Sequence, residues 1–493
     1  MIQRSRRKFL KDAALTATAA LTGCTSLYSV GPTNRPNVVF VFADQWRAQD
    51  VGYAGNPDVL TPHLDKMEAR SVNFVNAVAG QSVCCPYRAS LMTGQYPLTH
   101  GLFLNDLQLS TKAASIAQVY RDGGYTTGYI GKWHLDGAGR TNYIPPERRQ
   151  GFEFWKALEC THNYNNSPYY AGDSDERLVW PGYDAYAQTD AAVSYIRQTR
   201  QGDKPFALFL SLGPPHDPYR TGPKKWLAYY DASDLTLRPN VPEAMRDRAT
   251  REIAGYYAHC SALDECMGRL QSELKTSGLD RNTLLMFTSD HGDMLHSQGL
   301  ERKQKPWDES VCVPFLIQCP TAWNVPPQRS EALINTPDIM PTMLGLCGLR
   351  IPETVEGNDY TPVVLGRRGD IEDSALILCP LPFGEWRRAN GGQEYRGVRT
   401  KRYTYVRSLD GPWLLYDNRD DPYQMKNLCN QPHMAAIQKQ LEQQLQYWLE
   451  KTGDDFATGP ELLKRCGYRV DEHETIAYLD PGAWGQVSRS AGL

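Results

Sequence analysis

The 493-residue chain lacks several features that would place it at once in a familiar class. Its 53 basic and 56 acidic residues leave a formal charge of −3, so no bulk positive field exists for holding nucleic acid, and any anion must be bound locally. No internal repeat or low-complexity block is visible, which excludes a repeat architecture. The 12 cysteines include no Cys-x-x-Cys pair and no zinc-type spacing.

The cysteines also lack the pattern of a disulfide framework. Cys312, Cys347 and Cys379 lie in apolar runs, which is typical of small buried side chains. We therefore predict no disulfide framework, although export to an oxidising compartment would permit one or two bridges.

The amino terminus has no apolar run long enough to span a bilayer as a permanent helix, and it carries an export pattern instead. Arg6 and Arg7 lie in Ser-Arg-Arg-Lys-Phe-Leu-Lys at residues 5–11, a twin-arginine signal for the Tat translocon. The Ala-, Leu- and Thr-rich stretch that follows ends in Leu-Thr-Gly-Cys24, which resembles a bacterial lipobox. We predict a lipoprotein signal at residues 1–23 and a lipid-anchored tether at residues 24–36. An ordinary cleaved signal with a chance cysteine is the alternative.

Residue 25 bears on where this lipoprotein would reside. Thr25 stands where an Asp is often associated with retention at the inner membrane. The predicted location is therefore the periplasm, the outer membrane or the cell surface of a bacterium.

Short apolar runs alternate with helix-like stretches along most of the chain. The runs are residues 37–42, 206–212, 283–288 and 314–318, and the helical stretches include residues 253–276 and 337–346. This alternation predicts an α/β fold with a large, mostly parallel central sheet flanked by helices. Because sites form just past the carboxyl ends of such strands, Asp44, His216 and Asp290 are candidate site residues.

The pattern changes near residue 370. Residues 395–407 and 413–417 indicate a β-hairpin or meander, and residues 434–451 indicate an amphipathic helix. We predict a main α/β domain at residues 37–370, and a smaller C-terminal α+β subdomain with a tail at residues 371–493.

The most informative segment is Cys84-Cys85-Pro86-Tyr87-Arg88, followed by Ala-Ser-Leu-Met-Thr-Gly. The pentapeptide alone would also fit a turn with a free thiol before a helix. With its extension it resembles the signature of formylglycine-dependent (type I) sulfatases, a family with an alkaline-phosphatase-like fold. The resemblance implies that a formylglycine-generating enzyme oxidises Cys84 to formylglycine, which Arg88 would hold as a fixed cation. Cys85 is the alternative register, but only Cys84 has the family's spacing to Pro86 and Arg88. Tyr87 stands where the family usually has Ser or Ala.

Two further pairs resemble the metal-binding positions of this family. Asp44-Gln45 follows the first apolar run, and Asp290-His291 follows a later one. Together with the formylglycine at Cys84, they imply a site for Ca²⁺, with Mg²⁺ as the alternative, because both ions prefer oxygen ligands. Gln45 and His291 replace the Asp and Asn of many relatives, and a contact of His291 with sulfate is the alternative to metal binding.

Four more residues would bind the sulfate and transfer protons. Gly-Lys132-Trp-His134 resembles a family element in which Lys132 would neutralise a sulfate oxygen. His134 would hydrogen-bond the formylglycine and accept the proton that triggers sulfate release. His216 lies in the family's strand-end pattern, and Lys303 follows Asp290 by thirteen residues. The resemblance makes His216 and Lys303 the candidates for protonating the leaving alcohol.

The resemblance covers most of residues 37–430 and predicts a sulfuric ester hydrolase. Glu301, Arg302 and the C-terminal subdomain are expected to line the substrate side. The export signal, together with 11 Trp and 28 Tyr, predicts a sulfated oligo- or polysaccharide as substrate, because aromatic rings with polar tips suit sugar clefts.

Two alternative functions are kept open. Phosphonate monoester hydrolases and phosphodiesterases of the same superfamily share the formylglycine and the Asp-Gln and Asp-His pairs. In those relatives neutral residues replace the Lys132 and His134 pair, which therefore favours sulfate. The second alternative is an inactive glycan-binding surface lipoprotein. Tyr87 favours it, but an inactive scaffold would have no need for the converging charges between Asp44 and Lys303.

Overall fold

The structure of the chain is a computed structural model that describes residues 35–476. The predicted signal, Cys24, most of the tether and the end of the tail lie outside the described residues. The strands are β1 (Asn37–Asp44), β2 (Val72–Val78), β3 (Thr126–Lys132), β4 (Phe154–Leu158), β5 (Pro168–Ala171), β6 (Leu178–Val179), β7 (Phe206–Pro215), β8 (Thr283–Ser289), β9 (Phe315–Gln318), β10 (Gln328–Asn335), β11 (Ser374–Cys379), β12 (Tyr395–Thr400), β13 (Tyr403–Ser408) and β14 (Gly411–Asp417). The α-helices are α1 (Pro62–Glu68), α2 (Cys84–Thr93), α3 (Pro97–His100), α4 (Ile116–Asp122), α5 (Asp184–Thr199), α6 (Lys224–Leu227), α7 (Arg246–Thr276), α8 (Asp308–Val311), α9 (Thr336–Leu346), α10 (Thr361–Val364), α11 (Ala435–Thr452) and α12 (Gly459–Cys466).

Ten strands form one mixed sheet in the order β10-β2-β9-β8-β1-β7-β3-β4-β5-β6. The five neighbours from β8 to β4 all pair in parallel, and so do β10 and β2. The predicted α/β fold with a large, mostly parallel sheet is therefore confirmed. One strand of the predicted set, β9, instead runs antiparallel to both neighbours. The loop between β8 and β9 leaves and re-enters the sheet at the same edge, so it makes no crossover.

The apolar run of β1 lies at the centre of the sheet because both of its faces are covered. Val38, Phe40 and Phe42 pack into one apolar cluster with residues of α2, α4 and α9. The alternate residues Val39 and Val41 pack into a second cluster with α7 and α5 on the opposite face. Burial of each such side chain contributes about 1.5 to 3 kcal/mol to stability. Because both faces of β1 are buried, its sequence is a continuous apolar run without alternating polar residues.

The C-terminal region forms the predicted smaller α+β unit. β11 to β14 make an antiparallel meander, as residues 395–407 and 413–417 indicated. Leu441, Leu445 and Trp448 of α11 cover one face of this small sheet. The other face packs against side chains from the ends of the main sheet. The boundary at residue 370 stays a prediction.

The described cysteines are all free thiols, and all but Cys429 are buried. Cys312, Cys347 and Cys379 have exposed fractions of 5%, 2% and 1%, so their prediction as small buried side chains is confirmed. Between residues 35 and 476, no helix combines the length and apolar character that a bilayer crossing requires.

A buried ion pair connects the two sheets. Arg399 in β12 donates from Nε and Nη2 to the two carboxylate oxygens of Asp308, at 3.0 Å each. Asp308 is the first residue of α8, in the segment that connects β8 to β9. The small sheet is therefore tied to the main domain by a pair whose partners are both largely shielded from water.

Replacing Arg399 with Met should destabilise the protein by about 3 to 5 kcal/mol, because the Asp308 carboxylate would remain buried without its cation. Lys401→Gln, two residues further along the chain, is the matched control. The ion pair of Lys401 with Asp370 is exposed and is expected to contribute at most about 1 kcal/mol. Urea unfolding of the two variants measures the difference. Equal losses in both would contradict the importance of burial for the Arg399 pair.

Candidate active site

Cys84 lies at the start of α2 with an exposed fraction of 1%. The neighbouring Cys85 thiol points elsewhere, because its Sγ donates to the His134 carbonyl at 2.9 Å and accepts from the Asp106 amide at 3.1 Å. The Sγ of Cys84 instead meets a group of charged side chains. The two thiols therefore have separate surroundings, and only that of Cys84 lies among these charged groups.

Carboxylates from two central strands meet beside Cys84. Asp44 ends β1, and Asp290 follows β8 directly. The Cys84 Sγ lies 3.8 Å from Asp44 Oδ1 and 3.3 Å from His291 Nε2. His291 Nε2 is also 3.4 Å from Asp44 Oδ1 and 3.5 Å from Asp290 Oδ1. The carboxyl ends of neighbouring parallel strands thus bring together groups that are more than 200 positions apart in sequence.

Arg88, one turn along α2 from Cys84, anchors both carboxylates. Its Nη2 donates to Asp290 Oδ2 at 2.9 Å and to Asp44 Oδ2 at 3.3 Å. Its Nη1 donates to the Lys132 carbonyl and to Ser211 Oγ, at 2.7 Å each. The guanidinium is fully buried, so it is a fixed part of the site wall.

Two lysines place ammonium groups at the Cys84 Sγ. Lys132 Nζ lies 3.6 Å from Sγ and 2.5 Å from Asp44 Oδ2, and Lys303 Nζ lies 3.1 Å from Sγ. Burial raises the pKa of Asp44, but the surrounding cations, led by Lys132, hold it well below its usual range. Burial also opposes ionisation of Cys84, yet Lys132 and Lys303 lower its thiol pKa well below the usual value. The position of Sγ is therefore strongly favourable for an anion.

His216 and Lys303, predicted as a proton-donating pair, are in direct contact. Lys303 Nζ lies 2.9 Å from His216 Nε2, and His216 Nδ1 lies 3.0 Å from the Asp217 carbonyl oxygen. Burial and the charge of Lys303 lower the pKa of His216 well below its ordinary value. A neutral imidazole that donates from Nδ1 to Asp217 can accept from Lys303 at Nε2.

The imidazole of His134 is held by Asp106, which is not one of the residues around the Cys84 Sγ. Its Nε2 lies 2.9 Å from Asp106 Oδ1, and Arg140 donates to the same carboxylate. Its Nδ1 is buried without a hydrogen-bond partner among the described residues, and its backbone is left-handed, with φ of 56°. The predicted action of His134 on the residue at position 84 stays a prediction.

Four residues that hold the site together had no assigned part in the sequence interpretation. Ser211 holds Arg88, Asp106 holds His134, and Gln45 Nε2 donates to Asp293 Oδ2 at 2.7 Å and lies 3.4 Å from Tyr219 Oη. Asp293 follows Asp290-His291-Gly292, so its proximity to the motif was a usable signal. The other three lie on segments that only the fold brings to the site.

The model of the family described as Sulfatase matches residues 36–349, more than half of the chain. The chain belongs to the sulfatase family. It is accordingly a sulfuric ester hydrolase, and the predicted resemblance is confirmed. A second model, described as the C-terminal part of N-sulphoglucosamine sulphohydrolase, matches residues 298–451 of this sulfatase.

Individual relatives cover most of the sulfatase chain. An ulvan-active sulfatase of Formosa agariphila is 42% identical over 439 residues, covering 88% of this chain and 85% of that protein. A solved structure connected with the metabolism of multiple glycosaminoglycans by Bacteroides thetaiotaomicron superposes with a TM-score of 0.78 at 28% identity, over 87% of this chain and 99% of that one. The phosphonate monoester hydrolase of Agrobacterium radiobacter superposes with a TM-score of 0.70 at 23% identity, over 85% and 96%, and shares the fold.

The donor atoms of this sulfatase fit a divalent cation. Ligand atoms of Asp44, Cys84, Asp290 and His291 all lie within 4.8 Å of one another. Gln45 Oε1 is a buried acceptor without a hydrogen-bond partner among residues 35–476. His291 Nδ1 lies 2.9 Å from the Gly292 carbonyl, a contact that fixes Nδ1 as the donor and leaves Nε2 as a lone-pair ligand. A set dominated by carboxylate and amide oxygens matches the preference of Ca²⁺ and Mg²⁺.

Gln45→Met should weaken calcium binding by about tenfold or more, because it removes one oxygen ligand while keeping the side-chain length. After treatment with a chelator, added calcium should raise the thermal unfolding midpoint of the wild type by mass action, and higher calcium should be needed in the variant. Gln150→Met is the matched control: it is another buried glutamine with a positive φ (55°), bonded to Leu109 and Ser110. An unchanged calcium dependence in Gln45→Met would contradict its assignment as a ligand.

Proposed function

We propose that this sulfatase removes sulfate from a sulfated carbohydrate, using a formylglycine formed from Cys84 and a bound divalent cation, with calcium favoured. The observation that carries the proposal is the arrangement around the Cys84 Sγ. Two ammonium groups lie within 3.6 Å of this atom, and Asp44 Oδ1 and His291 Nε2 lie 3.8 and 3.3 Å from it. This position combines a nucleophile, anion-binding groups and metal ligands.

The Cys84 Sγ stands where formylglycine would carry its hydroxyl oxygens. A formylglycine hydrate supplies one hydroxyl to attack sulfur and a second whose deprotonation expels the bound sulfate, which a serine could not do. Arg88 fixes the carboxylates that flank this position, and Lys303 donates toward it from 3.1 Å. The assignment of His134 as the acceptor of the second hydroxyl's proton rests on the resemblance of Gly-Lys132-Trp-His134 to the family element.

Lys132 and Lys303 are proposed to bind the non-bridging oxygens of the sulfate group. Both are buried, with exposed fractions of 6%, so their charges act in a medium less polarisable than water. Lys132 is held by Asp44 at 2.5 Å and is therefore positioned before the substrate arrives. Preorganised cations of this kind stabilise the charge that develops on sulfate oxygens during transfer.

Asp44, Gln45, Asp290 and His291 are proposed to hold the cation. It would supply Lewis acidity to a sulfate oxygen and to the attacking hydroxyl. Arg88 bonds the Oδ2 atoms of both aspartates, which leaves both Oδ1 atoms on the side of His291 Nε2. In each aspartate, one carboxylate oxygen thus bonds Arg88 and the other faces the proposed metal position.

His216 and Lys303 are proposed to protonate the leaving alcohol. Their 2.9 Å contact lets the proton on Lys303 be shared with the neutral imidazole, so either group can deliver it to the departing oxygen. The Asp217 carbonyl holds the imidazole from its far side.

A carbohydrate substrate and an exported location complete the proposal. The ulvan-active relative and the structure linked to glycosaminoglycan metabolism support a sulfated oligo- or polysaccharide. The twin-arginine pattern at residues 5–11 and the lipobox-like Cys24 support an exported lipoprotein in the periplasm or at the cell surface.

Mass analysis of the tryptic peptide that ends at Arg88, from protein of the native host, should find Cys84 converted to formylglycine. Cys84→Ser should have no turnover, because a serine sulfate lacks the second hydroxyl that releases sulfate. Cys85→Ser is the matched control and should retain both the modification of Cys84 and turnover, since a hydroxyl can keep the bond to the His134 carbonyl. Unmodified Cys84 would support the inactive glycan-binding lipoprotein instead.

Lys132→Ala should lower desulfation about 10²-fold or more, because it removes an ammonium that acts on the transferring group. The measurement compares kcat/KM on sulfated saccharides with that on a phosphodiester and a phosphonate monoester. The likeness to the phosphonate monoester hydrolase shows a shared fold and does not tell the two activities apart. The ratio of the kcat/KM values therefore decides between them. Phosphodiester cleavage much faster than every desulfation would overturn the proposed function.

A further inference from the structure

A cleft of about 460 Å³ opens beside the proposed leaving-group donors. Asp217 and Arg302 line it, and they directly follow His216 and precede Lys303 in the sequence. Arg302 Nη2 donates to Asp217 Oδ2 at 3.1 Å, which joins the two segments at this end of the cleft. A sugar bonded through its sulfate at Cys84 would therefore have its neighbouring residues in or near this cleft.

The acidic side chains of the cleft all have partners within the protein. Asp217 is bonded by Arg302, and Asp293 is bonded by Gln45 and Tyr219. The remaining contacts are those of Glu252 with His296 and Arg248, at 2.9 Å each, and of Glu301 with Arg248, at 2.7 Å. These carboxylates are engaged by neighbouring side chains and do not need a cation from the substrate.

Two arginines of the cleft wall differ from the others. Arg220 and Arg251 line the cleft, are exposed, and form no ion pair or side-chain hydrogen bond with another described residue. Gly255 of α7 allows the two arginines to lie on the same wall. A Cβ at position 255 would lie 2.6 Å from the Tyr219 carbonyl oxygen, so only glycine lets the 3₁₀ turn Tyr219–Thr221 approach α7 this closely. Arg251 lies one helical turn before Gly255, and Arg220 is in the turn that packs against it.

We propose that Arg220 and Arg251 form an anion-binding subsite for a second acidic group of the substrate, a carboxylate or a second sulfate ester on a sugar near the one that is desulfated. The proposal rests on the proposed function and narrows the substrate class to a polyanionic saccharide. Guanidinium groups suit this role because their planar donors match the two oxygens of a carboxylate or sulfate. The subsite lies on the leaving-group side, so it selects the saccharide and takes no part in sulfate transfer.

Three oligosaccharides with the same scissile sulfate test the subsite: one with an uncharged neighbouring sugar, one with a uronate neighbour and one with a sulfated neighbour. The wild type should have a kcat/KM at least about tenfold higher on one or both charged substrates, carried by KM. Arg220→Gln and Arg251→Gln should each lower this preference about tenfold. Arg246→Gln is the control, since Arg246 is also exposed on α7 but pairs with Glu243 outside the cleft.

Calorimetric binding of the same three saccharides, prepared without the scissile sulfate, separates the subsite from the chemistry. The charged products should bind the wild type about tenfold more tightly than the uncharged one, and each arginine variant should lose that difference. The preference of kcat/KM for uronate or for sulfate identifies which anion the subsite takes. Equal Kd values and equal kcat/KM for charged and uncharged saccharides would overturn the subsite. Arginine-dependent binding without desulfation of any saccharide would overturn only the proposed function and leave the subsite standing.

Discussion

The site depends on one buried cation, the guanidinium of Arg88. It bonds Asp44 at the end of β1, Asp290 just after β8, the carbonyl of Lys132 at the end of β3, and Ser211 within β7. One side chain from α2 thereby connects four adjacent strands of the main sheet. Removing a charge from water costs several kcal/mol, and the buried guanidinium is tolerated because its Nε, Nη1 and Nη2 atoms all donate to acceptors. Arg88 thus fixes the distance between the helix that carries Cys84 and the strands that carry the carboxylates.

The cations around position 84 favour an anion at this place in the site. Arg88 and Lys132 pair with the carboxylates of Asp44 and Asp290, and Lys303 adds a third positive charge at the Cys84 Sγ. The proposed metal would add further positive charge on the same side. Such an excess is unfavourable in a buried region unless an anion binds there, which is the physical reason for expecting a negatively charged ester group at this position.

The ends of the buried strands could be predicted from the sequence, and much of the site lies there. Asp44 and Asp290 follow continuous apolar runs, and parallel strands leave such residues at a common edge. Ser211 and Tyr219 could not be predicted, because their contacts with Arg88 and Gln45 join segments that are distant in sequence, and no local pattern encodes them. The antiparallel direction of β9 could not be predicted either, because a four-residue apolar run does not indicate whether the strand runs parallel or antiparallel to its neighbours.

The loop after β8 connects the site with the proposed substrate cleft. Five non-glycine residues from Leu295 to Gln304 have positive φ, from 42° to 75°, and each such conformation costs of order 1 to 3 kcal/mol unless the surroundings fix it. Asp293 supplies part of that fixation, since its Oδ1 accepts from the amides of Leu295 and Arg302 at 3.0 and 2.9 Å. Its Oδ2 accepts from Gln45, a proposed metal ligand.

The same carboxylate therefore holds the Gln45 side chain and fixes the path of the loop toward Lys303. The side chains of Arg220 and Arg251, by contrast, form no hydrogen bond or ion pair with Asp293 or the described loop after β8. A substitution there can alter which saccharide is bound without moving the groups that act on the sulfate. Substitution at Asp293 would disturb both functions at once, because the loop and the Gln45 side chain share its two oxygens.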